Sequence, residues 1–173
     1  MYLVSIYFDE KTNKKIQRLV DQVSKKTGNR YMIDAQVPPH ITICAFETRN
    51  EEAAKEALAK VAEQVGQGEI GWVSVGQFFP QVIFLTALQN QYLQTLAKII
   101  CETVREIEDV KVSPYYEPCS WLPHTTIAKK LSKEEMTLAF EILQNSFGII
   151  WGQSIKIGLA KPNPHRDIIS FDL

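Results

Sequence analysis

Two histidines of this chain open the same short pattern. The first lies in "PPHITICAF" and the second in "LPHTTIAKK". In both, a histidine follows proline and a threonine stands two positions later. These residues are His40 and Thr42 in the first motif, and His124 and Thr126 in the second. The chain has only 3 histidines, so a pattern that uses two of them in the same way indicates a functional site.

Histidine and threonine at this spacing can hold a phosphate and move protons on it. In a strand, residues i and i+2 face the same side, about 6.6 Å apart. The hydroxyl can donate to a non-bridging phosphate oxygen, and an imidazole with a pKa near neutrality can take or give a proton. Two such pairs facing each other would set a base behind the nucleophile and an acid behind the leaving group. This chemistry requires no metal.

Other interpretations of the same residues are weaker. A single His-x-Thr at the start of a strand is usually an exposed turn, and only the duplication favours catalysis. His165 in "NPHRD" has no threonine two positions later, and it is interpreted as a surface turn residue. Metal ligation is disfavoured because the chain has no His-x-His, no His-x-x-x-His and no nearby carboxylate pair. Cys44 lies about 13 Å from His40 along the same strand face, and it is interpreted as packing.

The segments around the first motif predict a strand, a helix, a loop, the motif strand, a helix and another strand. "YLVSIYF" is rich in β-formers, and Asp9 after it can cap a helix to about Lys26 that ends at "TGN". The apolar face of that helix consists of Ile16, Leu19, Val20 and Val23. After a loop, "HITICAF" is a strand, and Asn50 begins a second helix. "EIGWVSVGQFFP" and "QVIFLTAL" predict two strands joined around Pro80.

The same order repeats around the second motif. "VIFLTAL" leads into a helix over 90–108, and the irregular stretch "DVKVSPYYEPCSWLP" then leads into the strand "HTTIAKK". Ser132 and Glu135 form a capping box for a helix to about Phe147. The last strands are "WGQSIKIGLA" and "RDIISFDL", with "KPNPH" as the turn between them. Two such halves, each with a mostly antiparallel sheet covered by helices, predict an α+β fold with pseudo-twofold symmetry.

The composition is that of one globular domain of 173 residues. A hydrophobic content of 45% with 23% charged residues excludes a disordered chain. A formal net charge of -1 disfavours a protein that holds long nucleic acid by phosphate contacts, and it favours short substrates. No stretch approaches about 18 apolar residues and no signal-peptide pattern is present, so we expect a cytoplasmic protein without a membrane partner. The 3 cysteines lack metal-ligand spacing and suit a reducing compartment.

Both motifs, their spacing and the "GQFFPQVIFL" hairpin between them resemble the 2H phosphoesterase superfamily, in particular its 2′-5′ RNA ligase-like branch. The resemblance covers most of the chain. It implies a single bilobal domain over 1–173, with duplicated β-α-β-α-β units around a central cleft. It also implies chemistry without metal or cofactor on 2′,3′-cyclic phosphates or 2′-5′ linkages of RNA ends or nucleotides. In that scheme His40 and His124 are the general acid and base, and Thr42 and Thr126 hold the phosphate.

Further substrate contacts are predicted on either side of the second motif. Tyr115 and Tyr116, with Trp121, could line the cleft and stack on a base, and each such contact contributes about 1–3 kcal/mol of binding free energy. Alternatively, these side chains could pack within their loop. Family members often carry a basic residue after this motif, where Lys129 and Lys130 stand. Alternation puts Lys130 on the face of His124 but about 20 Å along the strand, so it could meet another phosphate or lie at a solvated strand end.

The leading hypothesis is a phosphodiesterase, a hydrolase that opens the 2′,3′-cyclic phosphate of a small nucleotide or RNA end. The reverse reaction, ATP-independent 2′-5′ RNA ligation, would use the same acid and base. A binding module for terminal phosphates is the rival from another class, although binding alone does not need two titrating imidazoles. A purely structural protein would show neither binding nor turnover. We expect the protein to act as a monomer.

Overall fold

A computed structural model of the protein describes residues 1–118, 120–162 and 164–173. The helices and strands of the first half are β1 (Tyr2–Phe8), α1 (Glu10–Thr27), α2 (Tyr31–Ala35), β2 (His40–Glu47), α3 (Glu51–Ala62) and β3 (Gly68–Phe78). Those of the second half are β4 (Val82–Ala87), α4 (Gln91–Val104), β5 (Lys111–Val112), β6 (His124–Ala128), α5 (Lys133–Ser146), β7 (Ile150–Pro162) and β8 (His165–Asp172). The strand pairs within these residues are antiparallel, which confirms the predicted α+β fold.

The ends of the helices follow the capping residues in the sequence. The side chain of Asp9 accepts a hydrogen bond from the first turn of α1, and Gly28 ends that helix with a φ of 78°. A positive φ costs glycine little because it has no Cβ. Asn50 caps α3 in the same way as Asp9 caps α1. Ser132 and Glu135 form the predicted capping box of α5, in which each side chain bonds the other's backbone.

Three segments differ from their sequence-based predictions. The predicted loop before the first motif contains the short helix α2, which Gln36 closes with a φ of 54°. Helix α4 ends at Val104, four residues before the predicted end, because the chain then turns to bury Ile107. The predicted irregular stretch contains β5 and a 3₁₀ turn at Pro114–Tyr116. The predictions for Cys119 in that stretch and for Asn163 in the last turn lie outside the described residues.

The two halves share one sheet because β3 and β7 pair with strands of the other half. The order of strands is β5-β2-β1-β7-β3-β4-β6, and β8 pairs with β7. Residues 150–154 of β7 pair with β3, whereas residues 154–160 pair with β1 of the first half. Strand β3 pairs in turn with β4 of the second half. The sequence predicted a sheet for each half, and the long strands β3 and β7 join these into a single sheet.

One face of the sheet is covered by helices and forms the core. The predicted apolar face of α1 is buried at all four positions. Trp72 of β3 is fully buried, with its ring edge-to-face with Phe8 at 4.7 Å and its indole Nε1 donating to Thr125 Oγ1 at 3.0 Å. Because side chains alternate along a strand, burial of Ile41 and Thr125 turns the histidine before each of them to the opposite face.

No helix among the described residues is both long enough and apolar enough to span a bilayer.

Candidate active site

His40 is the first residue of β2, and a backbone carbonyl fixes its imidazole. Its Nδ1 lies 2.8 Å from the carbonyl oxygen of Pro38. A carbonyl can only accept a hydrogen bond, so Nδ1 carries a proton in both the neutral and the charged ring. The nitrogen that can exchange a proton with a ligand is therefore Nε2.

His124 repeats this arrangement at the start of β6. Its Nδ1 lies 2.9 Å from the carbonyl oxygen of Leu122, which is again two residues upstream. The same argument assigns the proton to Nδ1 and leaves Nε2 for chemistry. In both motifs a single proline separates the histidine from the residue whose carbonyl its ring meets.

The two threonines of the motifs lie in different surroundings. Thr42 is 8% exposed, and its hydroxyl is 3.2 Å from that of Ser5 on the neighbouring strand. Thr126 is half-buried, and its hydroxyl has no hydrogen-bond partner in the described part of the chain. Its neighbour Thr125 points into the core, where it accepts the bond from Trp72. Thr126 is thus the threonine whose hydroxyl is unpaired among the described residues, whereas the hydroxyl of Thr42 shares a hydrogen bond with Ser5.

The sheet curves so that the two motifs meet. Strands β2 and β6 lie five places apart in the order of the sheet, yet they are in contact. His40 and Thr126 border the same small cavity. The indole Nε1 of Trp121, just upstream of His124, donates to the carbonyl of Thr42 at 3.1 Å. These contacts bring the two motifs together, and Thr126 borders one cavity with His40 and another with His124.

The environment lowers the pKa of both imidazoles below the ordinary histidine value. Burial is the largest cause for His40, and the positive charge of His124 lowers its pKa further. Burial also lowers the pKa of His124, with a smaller contribution from the charge of Lys129. The hydrogen bonds to the carbonyls of Pro38 and Leu122 act in the opposite direction. Burial and charge prevail, so both rings favour the neutral form.

Polar side chains line a cavity next to Tyr7, whose ring lies near that of His40. We call this set the His40 wall, and it consists of Tyr7, Lys156, Asp167 and Ser170. Register aligns Tyr7 of β1 with both His40 and Lys156. The ring of Tyr7 lies 6.0 Å from that of His40. Burial, together with the charge of Asp167, raises the pKa of Tyr7 to about 12, so its phenol stays protonated.

His165 is exposed and lies nearer to the cleft than its interpretation as a surface turn residue suggests. It is the first residue of β8, and its Nε2 is 3.2 Å from Oδ1 of Asp167. Its positive charge contributes to the lowered pKa of His40. The third histidine is therefore an electrostatic neighbour of the first motif.

Aromatic side chains surround His124 on the other side of the cleft. We call this set the His124 wall, and it consists of Phe78, Phe84, Tyr115 and Tyr116. The ring of Phe78 meets that of His124 edge-to-face at 4.8 Å, and Phe84 lies 5.1 Å from it. Phe78 and Phe84 are themselves 4.3 Å apart. The two halves thus place similar motifs in unlike surroundings.

The predicted tyrosines line a cavity of about 640 Å³ that also contains His124 and Thr126. Tyr115 is 82% exposed at its rim, whereas Tyr116 is half-buried. Lys129 lines this cavity as well. A volume of this size and an aromatic lining are typical of sites for small organic ligands.

Lys130 does not follow the alternation that was expected of it. Strand β6 ends at Ala128, and Lys130 has a φ of 58°. Its Nζ lies 4.7 Å above the ring of Tyr31 instead of lining the aromatic cavity. The alternation argument fails because it presumes a strand that continues past Ala128.

Other cleft residues were missed from the sequence. Tyr7 could have been found, since it lies on the face of β1 opposite to the buried residues Val4, Ile6 and Phe8. Phe84 is itself buried, so alternation gives no such signal for it. Lys156, Asp167 and Ser170 come from the far end of the chain, and they share a cavity with Tyr7 only because β7 crosses to β1. Cys44 is buried, as its interpretation required, but a bulge pairs it with Val4 on the core side.

Among the described residues, no three His, Cys, Asp or Glu side chains gather closely enough to hold a metal ion.

Comparison with known proteins places this cleft in a family. The profile of the 2′-5′ RNA ligase superfamily matches residues 8–149, a span that includes both motifs. The chain belongs to this superfamily, within the 2H phosphoesterases. No curated protein sequence matches it.

Solved structures share the fold at low sequence identity. E. coli LigT in complex with 3′-AMP has a TM-score of 0.63 and 12% identity, over 99% of this chain and 97% of that one. TT0787 of Thermus thermophilus has a TM-score of 0.64 and 15% identity, with the same coverage of 99% and 97%. Usb1 of Kluyveromyces marxianus has a TM-score of 0.51 and 10% identity, again over 99% and 97%. The chain therefore has the fold of these proteins over its full described length.

Proposed function

We propose that the protein is a metal-independent phosphodiesterase that acts on 2′,3′-cyclic phosphates or 2′-5′ linkages of nucleotides or RNA ends. One observation carries the proposal. Two imidazoles each have Nδ1 bound to a carbonyl and Nε2 left for proton transfer, and each borders a cavity that Thr126 also borders. An in-line displacement at phosphorus needs one base and one acid, and such a pair supplies both.

The unlike walls of the cleft favour one assignment of roles. The His124 wall is aromatic, and a nucleobase gains about 1–3 kcal/mol by stacking on such rings. A nucleoside bound there turns its ribose oxygens towards His124. His124 is then the acid that protonates the departing ribose oxygen, and His40 is the base that takes the proton of the attacking water. The hydroxyls of Thr126 and Thr42 hold the non-bridging oxygens.

The ligands of a structural neighbour support a nucleotide substrate. E. coli LigT has been solved with 3′-AMP, with phosphate, with NADP+ and with ATP. All four contain phosphate, and three contain an adenine nucleoside. Lys129 in the aromatic cavity of this chain is suited to an anionic ligand of the same kind.

The decisive experiment is turnover of 2′,3′-cyclic AMP and of a 2′-5′ linked dinucleotide in excess EDTA. We expect turnover, and we expect His40→Ala and His124→Ala each to lower it by about 10²–10⁴. His165→Ala is the comparison variant: this exposed histidine acts on His40 through its charge, so its removal should lower turnover far less than the removal of either motif histidine. Near-normal turnover in a folded His40→Ala or His124→Ala variant would contradict the proposal.

Two other outcomes identify the rival functions. Tight nucleotide binding without turnover would indicate a module that recognises terminal phosphates. Formation of a 2′-5′ linkage from a cyclic phosphate end and a 5′-hydroxyl end would indicate ligation by the same acid and base. Loss of activity in EDTA, with recovery on adding a divalent ion, would exclude the two-histidine mechanism.

A further inference from the structure

Tyr7 lies directly opposite His40 on the neighbouring strand. Strands β1 and β2 pair Tyr7 with His40, and they pair Ser5 with Thr42. Directly opposite side chains leave the same face of a sheet, with their Cβ atoms about 4.5–5.5 Å apart. Both pairs are in contact, since the hydroxyls of Ser5 and Thr42 are 3.2 Å apart and the rings of Tyr7 and His40 are 6.0 Å apart. Tyr7 therefore stands beside the first motif on the face that carries its histidine.

The phenol hydroxyl of Tyr7 is a donor without a partner inside the described protein. The side chain is half-buried, and its hydroxyl makes no hydrogen bond within residues 1–118, 120–162 and 164–173. Burial and the charge of Asp167 raise its pKa to about 12, so the phenol is neutral and protonated wherever histidines titrate. Polar groups in a concave site are usually satisfied by a ligand or by water. The Tyr7 hydroxyl can therefore donate to an anion without adding a negative charge of its own.

The strand on the other side of Tyr7 contributes a cation. Register aligns Lys156 of β7 with Tyr7, so His40, Tyr7 and Lys156 form a row across three adjacent strands. Neighbouring strands lie about 4.7–4.9 Å apart, so a single small anion can touch two members of such a row. Tyr7 and Lys156 also line one cavity. The row thus places a neutral donor and a cation next to the proposed base.

The second half has a hydroxyl at the equivalent position. Thr86 of β4 is directly opposite His124, as Tyr7 is opposite His40. The hydroxyl of Thr86 also has no hydrogen-bond partner in the part of the chain that the structure describes. A phenol hydroxyl extends further from the backbone than a threonine hydroxyl does. A hydroxyl beside each motif histidine is therefore common to the two halves, and the longer side chain stands beside the proposed base.

The first motif also has room for an additional donor. The hydroxyl of Thr42 is bonded to Ser5 and its residue is 8% exposed, whereas the hydroxyl of Thr126 is unpaired among the described residues. We propose that Tyr7 contacts the substrate, with its hydroxyl donating to the non-bridging phosphate oxygen on the side of His40. This proposal rests on the proposed function, and it adds a third hydroxyl to those of the two threonines.

The test combines Tyr7→Phe with the two diastereomers of adenosine 2′,3′-cyclic phosphorothioate, in each of which sulfur replaces one non-bridging oxygen. The variant keeps the ring beside His40 and removes only the hydroxyl. We expect kcat/KM for 2′,3′-cyclic AMP to fall about 10–100-fold, as for one lost hydrogen bond to a charged group. Because sulfur accepts hydrogen bonds weakly, the wild type should be slower on the diastereomer whose sulfur meets Tyr7. In Tyr7→Phe this thio penalty should disappear, whereas the penalty on the other diastereomer should remain.

Tyr2→Phe is the matched control. Tyr2 lies at the other end of the same strand, and its hydroxyl donates to the carboxylate of Glu51 at 3.3 Å. This variant should keep the wild-type kcat/KM and both thio penalties. Near-wild-type kcat/KM in Tyr7→Phe, or a slower variant with both penalties unchanged, would overturn the proposal and leave the phosphodiesterase intact.

The failure of the proposed function gives a different result. If the wild type turns over none of these substrates, the proposed function fails, and calorimetric titration with 3′-AMP decides about Tyr7. An affinity that falls about 10-fold in Tyr7→Phe but not in Tyr2→Phe supports the hydroxyl as a phosphate ligand. Equal affinities in the two variants, or no binding by the wild type, overturn that role.

Discussion

The indole Nε1 of Trp121 donates a 3.1 Å hydrogen bond to the backbone carbonyl of Thr42, and it thereby links the second motif to the first. Strand β5 pairs only with residues 46 and 47 of β2, so it does not reach this carbonyl. Trp121 is 4% exposed, and it occupies the edge of β2 that β5 leaves uncovered. One side chain thus ties together two segments that lie half the chain apart.

Trp121→Phe should therefore lower both stability and activity. The variant leaves the Thr42 carbonyl buried without a donor, which costs about 1–3 kcal/mol in free energy of unfolding. Because the bond joins the two motifs, turnover at saturating nucleotide should also fall. The matched control is Trp72→Phe, which loses an indole of similar burial that donates to Thr125 in the core. Equal losses of turnover in the two folded variants would contradict the linking role of Trp121.

Gly76→Ala should disturb the His124 wall directly. A Cβ at Gly76 would lie 2.5 Å from the ring of Phe84, so the ring must move, and it packs against His124. Overpacking of this kind costs about 1–3 kcal/mol, and a catalytic group displaced by about 1 Å loses up to about 10²-fold in rate. Gly148→Ala is the control, since no atom lies within 4 Å of its Cβ. Urea unfolding and cyclic nucleotide turnover measure the two effects, and wild-type activity in Gly76→Ala would show that Phe84 does not position His124.

The sequence predicts the local part of this structure well, because local signals determine it. Asp9, Asn50 and Ser132 cap helices through bonds to residues three positions away. The two motifs are visible for the same reason, since strand alternation alone puts His40 beside Thr42. Interactions between residues a few positions apart can be recognised from the local sequence, so no knowledge of the fold is needed to find them.

The unlike walls of the cleft could not be predicted, because they depend on pairing between distant strands. Ser170 and Asp167 come near Tyr7 only after β7 has crossed from β3 to β1. No local pattern distinguishes that crossing from a strand that stays in its own half. Lys130 shows that a local rule also fails where its structural element ends. Strand alternation was applied to Lys130, but the strand ends at Ala128. The two histidines look equivalent in the sequence because their motifs are alike, and the residues that differ around them come from distant parts of the chain.

The pH dependence of kcat/KM should reflect the lowered pKa of both histidines. The base must be neutral and the acid charged, so a lower pKa moves both limbs of the bell to more acidic pH, with a maximum below the ordinary histidine pKa of about 6.5. His40→Ala should lose the acidic limb, and His124→Ala the alkaline one. In His124→Ala the remaining limb should move to higher pH, because the charge that lowers the pKa of His40 is gone. A wild-type maximum above neutrality would contradict these shifts, and loss of the opposite limbs would exchange the two roles.

The free energy of unfolding should decrease as the pH falls through a range in which carboxylates stay ionised and contribute little to the change. The folded protein lowers the pKa of His40 and His124, so between the unfolded value of about 6.5 and the folded values the unfolded chain binds more protons. The free energy of unfolding should therefore decrease as the pH falls below about 6.5, before Asp and Glu titrate near about 4. Replacing both histidines by Asn, which can still donate to the carbonyls of Pro38 and Leu122, should flatten this slope without removing those bonds. Urea unfolding at about pH 7.5 and pH 5.5 measures it in both proteins. An equal decrease in the double variant would mean that groups other than these two imidazoles take up the protons.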